Sequence, residues 1–165
     1  MEARVTDRTD TPGALRTRTP CVGRCSTTYG DLVCRGCKRF AHEIVQWNQY
    51  DAATRHAVWQ RLLQLRDQVV AGRLEVVNDA LLRSQLARHR IRVADDDSAA
   101  SCVYLLLRRG APHMRQLQAY GLRALPEYVH LSPRELLDLI DADYQRLSEA
   151  HLERYFQQPL AGGST

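Results

Sequence analysis

The stretch PCVGRCSTTYGDLVCRGCKRF, residues 20–40, holds four of the five cysteines of this 165-residue chain. They follow the spacing C-x3-C-x8-C-x2-C and are Cys21, Cys25, Cys34 and Cys37. Gly23 and Gly36 lie within the two close pairs, where they permit the sharp turns that let two sulfurs face one ion. Four thiolates suit a closed zinc site, and they suit an iron–sulfur cluster as well. We therefore predict one metal site, with Zn²⁺ preferred and an iron–sulfur cluster as the alternative.

The segment that precedes the cysteines lacks the apolar stretch of a secretory signal. The sequence also contains no apolar run long enough for a transmembrane helix. We therefore expect a cytoplasmic protein without membrane contact, in a reducing compartment where two disulfides are a weak alternative. Residues 1–94 hold 16 basic and 9 acidic side chains, whereas residues 95–165 hold 7 and 10. This asymmetry indicates either a polyanionic partner or attraction between the two halves.

Hydrophobic periodicity predicts a mainly α protein, in which a small cysteine loop packs on two helices and a helical region follows. The predicted organisation has four parts. They are a disordered leader (1–19), a four-cysteine metal-binding module with two helices (20–72), a helical C-terminal domain (73–158) and a flexible tail (159–165).

The two helices of the module are predicted from apolar residues at helical spacing. The first helix places Phe40, Ile44 and Trp47 on one face. The second begins after Asp51 as N-cap and ends at Gly72. Its expected buried stripe consists of Val58, Leu62, Leu65 and Val69.

The C-terminal region should contain a third helix over 73–89, with Leu74, Val77, Leu81 and Gln85 spaced along it. Ser98 is expected to cap a helix that continues through the apolar run 102–107. A minor strand near 90–107 is the alternative for this run.

The end of the chain should form a short helix stopped by Gly121 and then a long last helix. Ser132, Pro133 and Glu135 spell a capping box with proline at the first helical position. The stripe expected to be buried on this last helix is Leu137, Ile140, Tyr144 and Leu147.

The cysteine segment resembles a small bacterial family called domain of unknown function 1289. The resemblance covers about residues 20–63 and rests on residues 20–25 and 34–37, together with Arg39, Glu43, Ile44, Trp47, Ala52, Arg55, Val58, Arg61 and Leu62. Members of that family are described as predicted iron–sulfur proteins. The resemblance implies that Cys21, Cys25, Cys34 and Cys37 are ligands, and it implies no reaction.

Other candidate site residues have simpler explanations. His42 follows the cysteines but is expected to be a solvated helix residue. Cys102 lies in an apolar run and should be a small core residue. Trp47 and Trp59 could stack on bases, but their helical spacing favours core packing.

The preferred function is a small metal-binding protein whose four-cysteine site structures an N-terminal module and which serves a protein partner as an adaptor. One alternative is an iron–sulfur redox or iron-sensing protein. Another is a nucleic-acid-binding protein with an arginine-rich, polyanion-binding face made of Arg83, Arg88, Arg90 and Arg92. An enzyme is the least expected class, because a complete shell of four cysteines leaves no open coordination position.

Overall fold

The computed structural model describes residues 19–157, so the predicted tail and almost all of the predicted leader lie outside the described residues. The described part is mainly α-helical, as predicted. Its helices are α1 (Ala41–Gln46), α2 (Ala52–Ala71), α3 (Asp79–Arg88), α4 (Ala99–Gly110) and α5 (Pro133–Leu152). Its strands are β1 (Leu74–Val76) and β2 (Leu122–Ala124), which form one small antiparallel sheet.

Helix α2 has the start, the end and the buried face that the sequence predicts. The Asp51 carboxylate accepts a hydrogen bond from the backbone N–H of Thr54 at 2.8 Å, and Gly72 is the C-cap. The predicted stripe is buried, and Val70 is buried beside it. Because this stripe runs along the whole helix, α2 contributes to two apolar clusters, one near each end.

The predicted helix over 73–89 is wrong in its first part, because Leu74–Val76 is strand β1. This strand pairs with β2, with Leu74 opposite Ala124. Helix α3 begins only after Asn78, whose side chain accepts from the N–H of Leu81 at 2.9 Å. The helix therefore starts later than expected, and its fully buried residues are Leu82 and Leu86 instead of Leu81 and Gln85.

Gly121 precedes β2 and allows the chain there to lie very close to the residues that follow β1. Its φ of +74° lies in the left-handed region, and a Cβ there would stand 2.3 Å from the carbonyl oxygen of Asn78. Its own carbonyl accepts from the N–H groups of Val77 and Asn78. The predicted stop at Gly121 is confirmed, although the helix before it is two short 3-10 segments, Ala111–His113 and Leu117–Tyr120.

The apolar run 102–107 is helical, and the alternative of a strand near 90–107 is wrong. The Ser98 hydroxyl caps α4 by accepting from the N–H of Ser101 at 2.9 Å. The helix buries almost its whole circumference, because α2, α3 and α5 all pack against it. This explains why the run is apolar at nearly every position. Its buried residues are Ser101, Cys102, Val103, Tyr104, Leu106 and Leu107.

Helix α5 begins with the predicted capping box. The Ser132 hydroxyl accepts from the N–H of Glu135, and the Glu135 carboxylate accepts from the N–H of Ser132. Leu137, Ile140 and Tyr144 are buried and Leu147 is half-buried, so the predicted stripe is confirmed. Helices α2, α4 and α5 share one large core.

The cysteine loop, residues 20–40, lies against the end of α5 as well as against α1 and α2. Val33 and Phe40 form a small buried cluster with Leu152 of α5. The side-chain amide of Gln145 donates to the carbonyl of Val33 at 3.2 Å. The predicted division of the chain at residue 72 stays a prediction. Within residues 19–157, no helix combines the length and apolar character needed to cross a membrane.

Candidate metal centre

The second cysteine pair lies on a tight hairpin. Val33 and Phe40 form an isolated antiparallel bridge, and within it the N–H of Cys34 donates to the carbonyl of Arg39 at 2.9 Å. The N–H of Lys38 donates back to the carbonyl of Cys34 at 2.8 Å. Lys38 has a φ of +63°, a left-handed conformation that reverses the chain directly after Cys37. The hairpin buries Cys34 and Cys37 and brings their side chains into contact.

The surroundings of these two thiols have opposite effects on their acidity. Burial opposes ionisation of Cys34, but the N–H groups of Cys37, Ser26 and Gly36 stabilise its thiolate and lower its pKa to about 7. Burial dominates at Cys37 and raises its pKa, although the Arg39 guanidinium donates to its sulfur at 3.4 Å. The pair therefore supplies one readily ionised thiol and one that is harder to ionise.

The first cysteine pair is more exposed. The Cys21 sulfur accepts from the N–H of Gly23 at 3.4 Å, and Cys21 is exposed. Cys25 is half-buried, and its sulfur shares a hydrogen bond of 2.9 Å with the hydroxyl of Thr27. Both sulfurs thus have local partners within their own segment.

Gly36 brings the two pairs together. A Cβ on this residue would stand 2.6 Å from the carbonyl oxygen of Arg24 and 2.7 Å from a methyl carbon of Val22, so only glycine fits without a shift. The Cys34 thiol also points at that carbonyl of Arg24, at 3.5 Å. The segment with the first cysteine pair therefore touches the hairpin with the second pair.

The four predicted ligands are not gathered around a common point. Among residues 19–157, no three His, Cys, Asp or Glu side chains are arranged to hold a metal ion. All five cysteines are free, so the two-disulfide alternative is not formed. The donor chemistry still fits a metal, because four sulfurs on two touching segments are what zinc or an iron–sulfur cluster would require. The ligand roles of Cys21, Cys25, Cys34 and Cys37 stay a prediction.

Lys38 joins the hairpin to α5 and is 1% exposed. Its ammonium lies 3.0 Å from a carboxylate oxygen of Asp141, donates to the carbonyl of Arg35 and stands 5.7 Å from the centre of the Tyr144 ring. The same Asp141 oxygen accepts from the Tyr104 hydroxyl at 3.0 Å. A charged side chain is thus buried where the loop meets the last helix, and its charge is compensated there.

A second buried ion pair joins α1 to α2. The Glu43 carboxylate accepts two hydrogen bonds from the Arg61 guanidinium, one of them at 2.8 Å, and a third from the N–H of Phe40 at 2.9 Å. The Arg61 guanidinium carbon lies 3.8 Å from the centre of the Phe40 ring. Sequence reasoning did not single out this pair. The available signal was that both residues belong to the family pattern.

The other candidate residues take the simpler roles predicted for them. His42 is exposed, and its ring lies 5.7 Å from the Phe40 ring. Trp47 is buried in a cluster with Val58 and Leu62, and the Arg39 guanidinium covers it at 4.9 Å. Cys102 is completely buried, and burial raises its pKa.

The predicted polyanion-binding arginines do not share one environment. Arg83 pairs with Asp79 at 2.9 Å and also donates to the carbonyl of Asp97, which ties it to its own helix and the following loop. The remaining three, Arg88, Arg90 and Arg92, are exposed at and after the end of α3. Their role in binding a polyanion stays a prediction.

The segment that carries the cysteine loop, α1 and most of α2 matches a known family. Residues 19–66 match the family model described as protein of unknown function (DUF1289). The resemblance predicted for about residues 20–63 is therefore confirmed. The DUF1289 segment contains all four clustered cysteines as well as Glu43 and Arg61. Neither the search of curated proteins nor the search of solved structures found a match.

Proposed function

We propose that this is a metal-binding protein in which Cys21, Cys25, Cys34 and Cys37 of the DUF1289 segment hold one zinc ion. The observation that carries the proposal is the contact at Gly36, which puts the two cysteine-bearing segments side by side. When bound, zinc would supply a structural cross-link between these segments and no open position for chemistry.

The chain's own residues prepare the hairpin for this role. Arg39 donates to the sulfur of Cys37, and backbone N–H groups around Cys34 stabilise negative charge on its sulfur. Lys38 holds the hairpin on α5 through Asp141. These contacts hold Cys34 and Cys37 in place against the helices. The more exposed Cys21 and Cys25 can then move toward them to complete the site.

The proposed biological role is that of an adaptor for a protein partner. Three apolar side chains of the cysteine loop are solvent-exposed, namely Val22, Tyr29 and Leu32, with Tyr29 90% exposed. Exposed apolar side chains that cluster together are typical of surfaces that bind other proteins, and Val22 and Tyr29 lie on the wall of the same cavity. A cross-linked loop would present them in a fixed arrangement.

Elemental analysis of the freshly purified whole chain tests the metal directly. We expect about one zinc per chain and a colourless protein. Stoichiometric iron and sulfide with visible absorbance would replace zinc with the iron–sulfur alternative and favour a redox or iron-sensing role. Protein that folds normally without any metal would contradict the proposal.

Substitution of one cysteine tests the ligand assignment. Cys34→Ser should abolish metal binding and make residues 20–63 sensitive to protease, while circular dichroism still shows most of the helix in the rest of the chain. Cys102→Ala is the matched control, because it removes a thiol from the helical core and should leave the metal content unchanged. Equal metal loss in both variants would contradict the assignment.

A further inference from the structure

A cavity of about 800 Å³ opens between the cysteine loop and the C-terminal end of α4. Three arginines line it: Arg24 and Arg35 from the loop and Arg108 from the helix. Among the described residues that line it, none is acidic. Its volume lies in the range of pockets that hold small molecules. The cavity is therefore strongly basic and large enough for a ligand.

Two of the three guanidinium groups are available to a ligand. Within residues 19–157, Arg24 and Arg108 form no ion pair, and Arg108 has the Tyr104 ring as a neighbour at 5.8 Å. Arg35 is paired with Asp31 at 3.0 Å, but Asp31 does not line the cavity. The cavity wall therefore carries a net positive charge, and among residues 19–157 neither Arg24 nor Arg108 has a carboxylate partner.

Polar and aromatic groups complete the wall. Ser26 and Thr28 line the cavity. The Ser26 hydroxyl is already bonded to the N–H of Arg35, at 2.8 Å, and to the Asp31 carboxylate, so Thr28 is the hydroxyl offered to a ligand. Tyr29 also lines the cavity with an almost fully exposed ring. Guanidinium groups and hydroxyls bind phosphate oxygens, and an exposed aromatic ring can stack on a planar group.

A neighbouring cavity beside the loop has a different charge distribution, so the excess of arginine is a property of the first cavity. The cavity between the loop and α5 is about 400 Å³ and shares Arg35 as a wall residue. Its described wall contains as many acidic as basic side chains, in contrast to the first cavity. Its charged wall residues are Arg35, Lys38, Arg146, Asp138, Asp141 and Glu149.

We propose that the 800 Å³ cavity binds a small phosphate-bearing ligand of about the size of a mononucleotide. Arg24 and Arg108 contact the phosphate from two different segments, and Tyr29 stacks on the planar group of the ligand. This cavity borders the proposed metal site, because Cys25 is also a wall residue. Neither Arg24 nor Arg108 is a candidate metal ligand, so ligand binding and metal content can be tested independently.

Calorimetric titration of the whole chain with AMP, inorganic phosphate and adenosine tests the proposal. AMP should bind most tightly, inorganic phosphate more weakly, and adenosine at least about tenfold more weakly than AMP because it lacks the charge. Arg24→Gln and Arg108→Gln should each weaken AMP binding about tenfold or more. Both side chains are exposed, so circular dichroism and metal content should not change.

Arg115→Gln is the matched control, since it removes the same charge from an exposed position outside the cavity. It should change AMP affinity by less than about twofold. No AMP binding at millimolar concentration would overturn the proposal. Equal weakening by Arg115→Gln, or binding of a single-stranded oligonucleotide without binding of AMP, would overturn it as well.

Discussion

The cysteine loop and the helical core are held in place by different kinds of interaction. The core joins α2, α4 and α5 through large apolar side chains, and several of them, such as Leu106, Leu136 and Ile140, are completely buried. The loop contributes few apolar side chains to the interior, chiefly Val33 and Phe40. Its stability must therefore come from sources other than apolar burial.

Those sources are cation–π contacts between basic side chains and aromatic rings, and ion pairs with carboxylates. Arg61 covers Phe40, Arg39 covers Trp47, and Lys38 meets Asp141. Such contacts depend strongly on geometry, because a buried charge whose partner moves away is costly. The comparison indicates that the core depends mainly on apolar burial, whereas the loop depends on contacts with the finished helices and, in our proposal, on a metal.

The largest expected effect is on the core. Leu106→Ala removes a completely buried side chain where helices pack tightly, and we expect it to lower the free energy of unfolding by about 3 kcal/mol. Urea denaturation followed by circular dichroism measures this loss. Val129→Ala, at a position 68% exposed, should change it by less than about 0.5 kcal/mol. If Leu106→Ala destabilised only the loop and left the helices as stable as before, apolar burial would not be what stabilises the core.

An intermediate effect is expected at the junction of α1 and α2. Glu43→Gln removes the negative charge from the buried bidentate pair and leaves the positive charge of Arg61 uncompensated. We expect the free energy of unfolding to fall by about 2 kcal/mol. The same denaturation measurement applies. Glu75→Gln alters the exposed pair with Arg123 and serves as control, with little expected change. If both variants behaved alike, the buried pair would have no special role.

The smallest effect is expected where the loop meets α5. Asp141→Asn keeps an oxygen for Lys38 and Tyr104 but removes the negative charge. Because the Asp141 side chain is 46% exposed, water already screens that charge, and we expect a loss of about 1 kcal/mol. Limited proteolysis should show faster cleavage in the loop than in the helices. Asp138→Asn, on the same helix and in an exposed pair with Arg134, should leave the loop protected.

Local signals in the sequence predicted the long helices well. Asp51 and Ser132 cap α2 and α5 by hydrogen bonds to groups three residues away, so their effect is readable from the sequence nearby. The apolar stripes of both helices are equally local. The choice of helix over strand for α4 rests on equally local features, namely the length of the apolar run and the alanines beside it.

Features that depend on distant residues were not predictable in this way. Strand β1 exists because Leu74 meets Ala124, which lies far along the chain, so the local pattern suggested a helix. The burial of Lys38 and Glu43 likewise depends on Asp141 and Arg61. Cysteine spacing identified the candidate ligands, but it could not give the different exposure of the two pairs, which the helices around them determine.

The contact between the loop and α5 has a consequence for biosynthesis. Val33 and Gln145, which meet in the folded protein, are 112 residues apart. The ribosome therefore releases the cysteine segment well before the helix that covers it. During that interval the sulfurs are open to ions and oxidants. A nascent chain that stalls before α5 would keep every thiol of the cluster but lack the helix against which Val33, Phe40 and Lys38 pack.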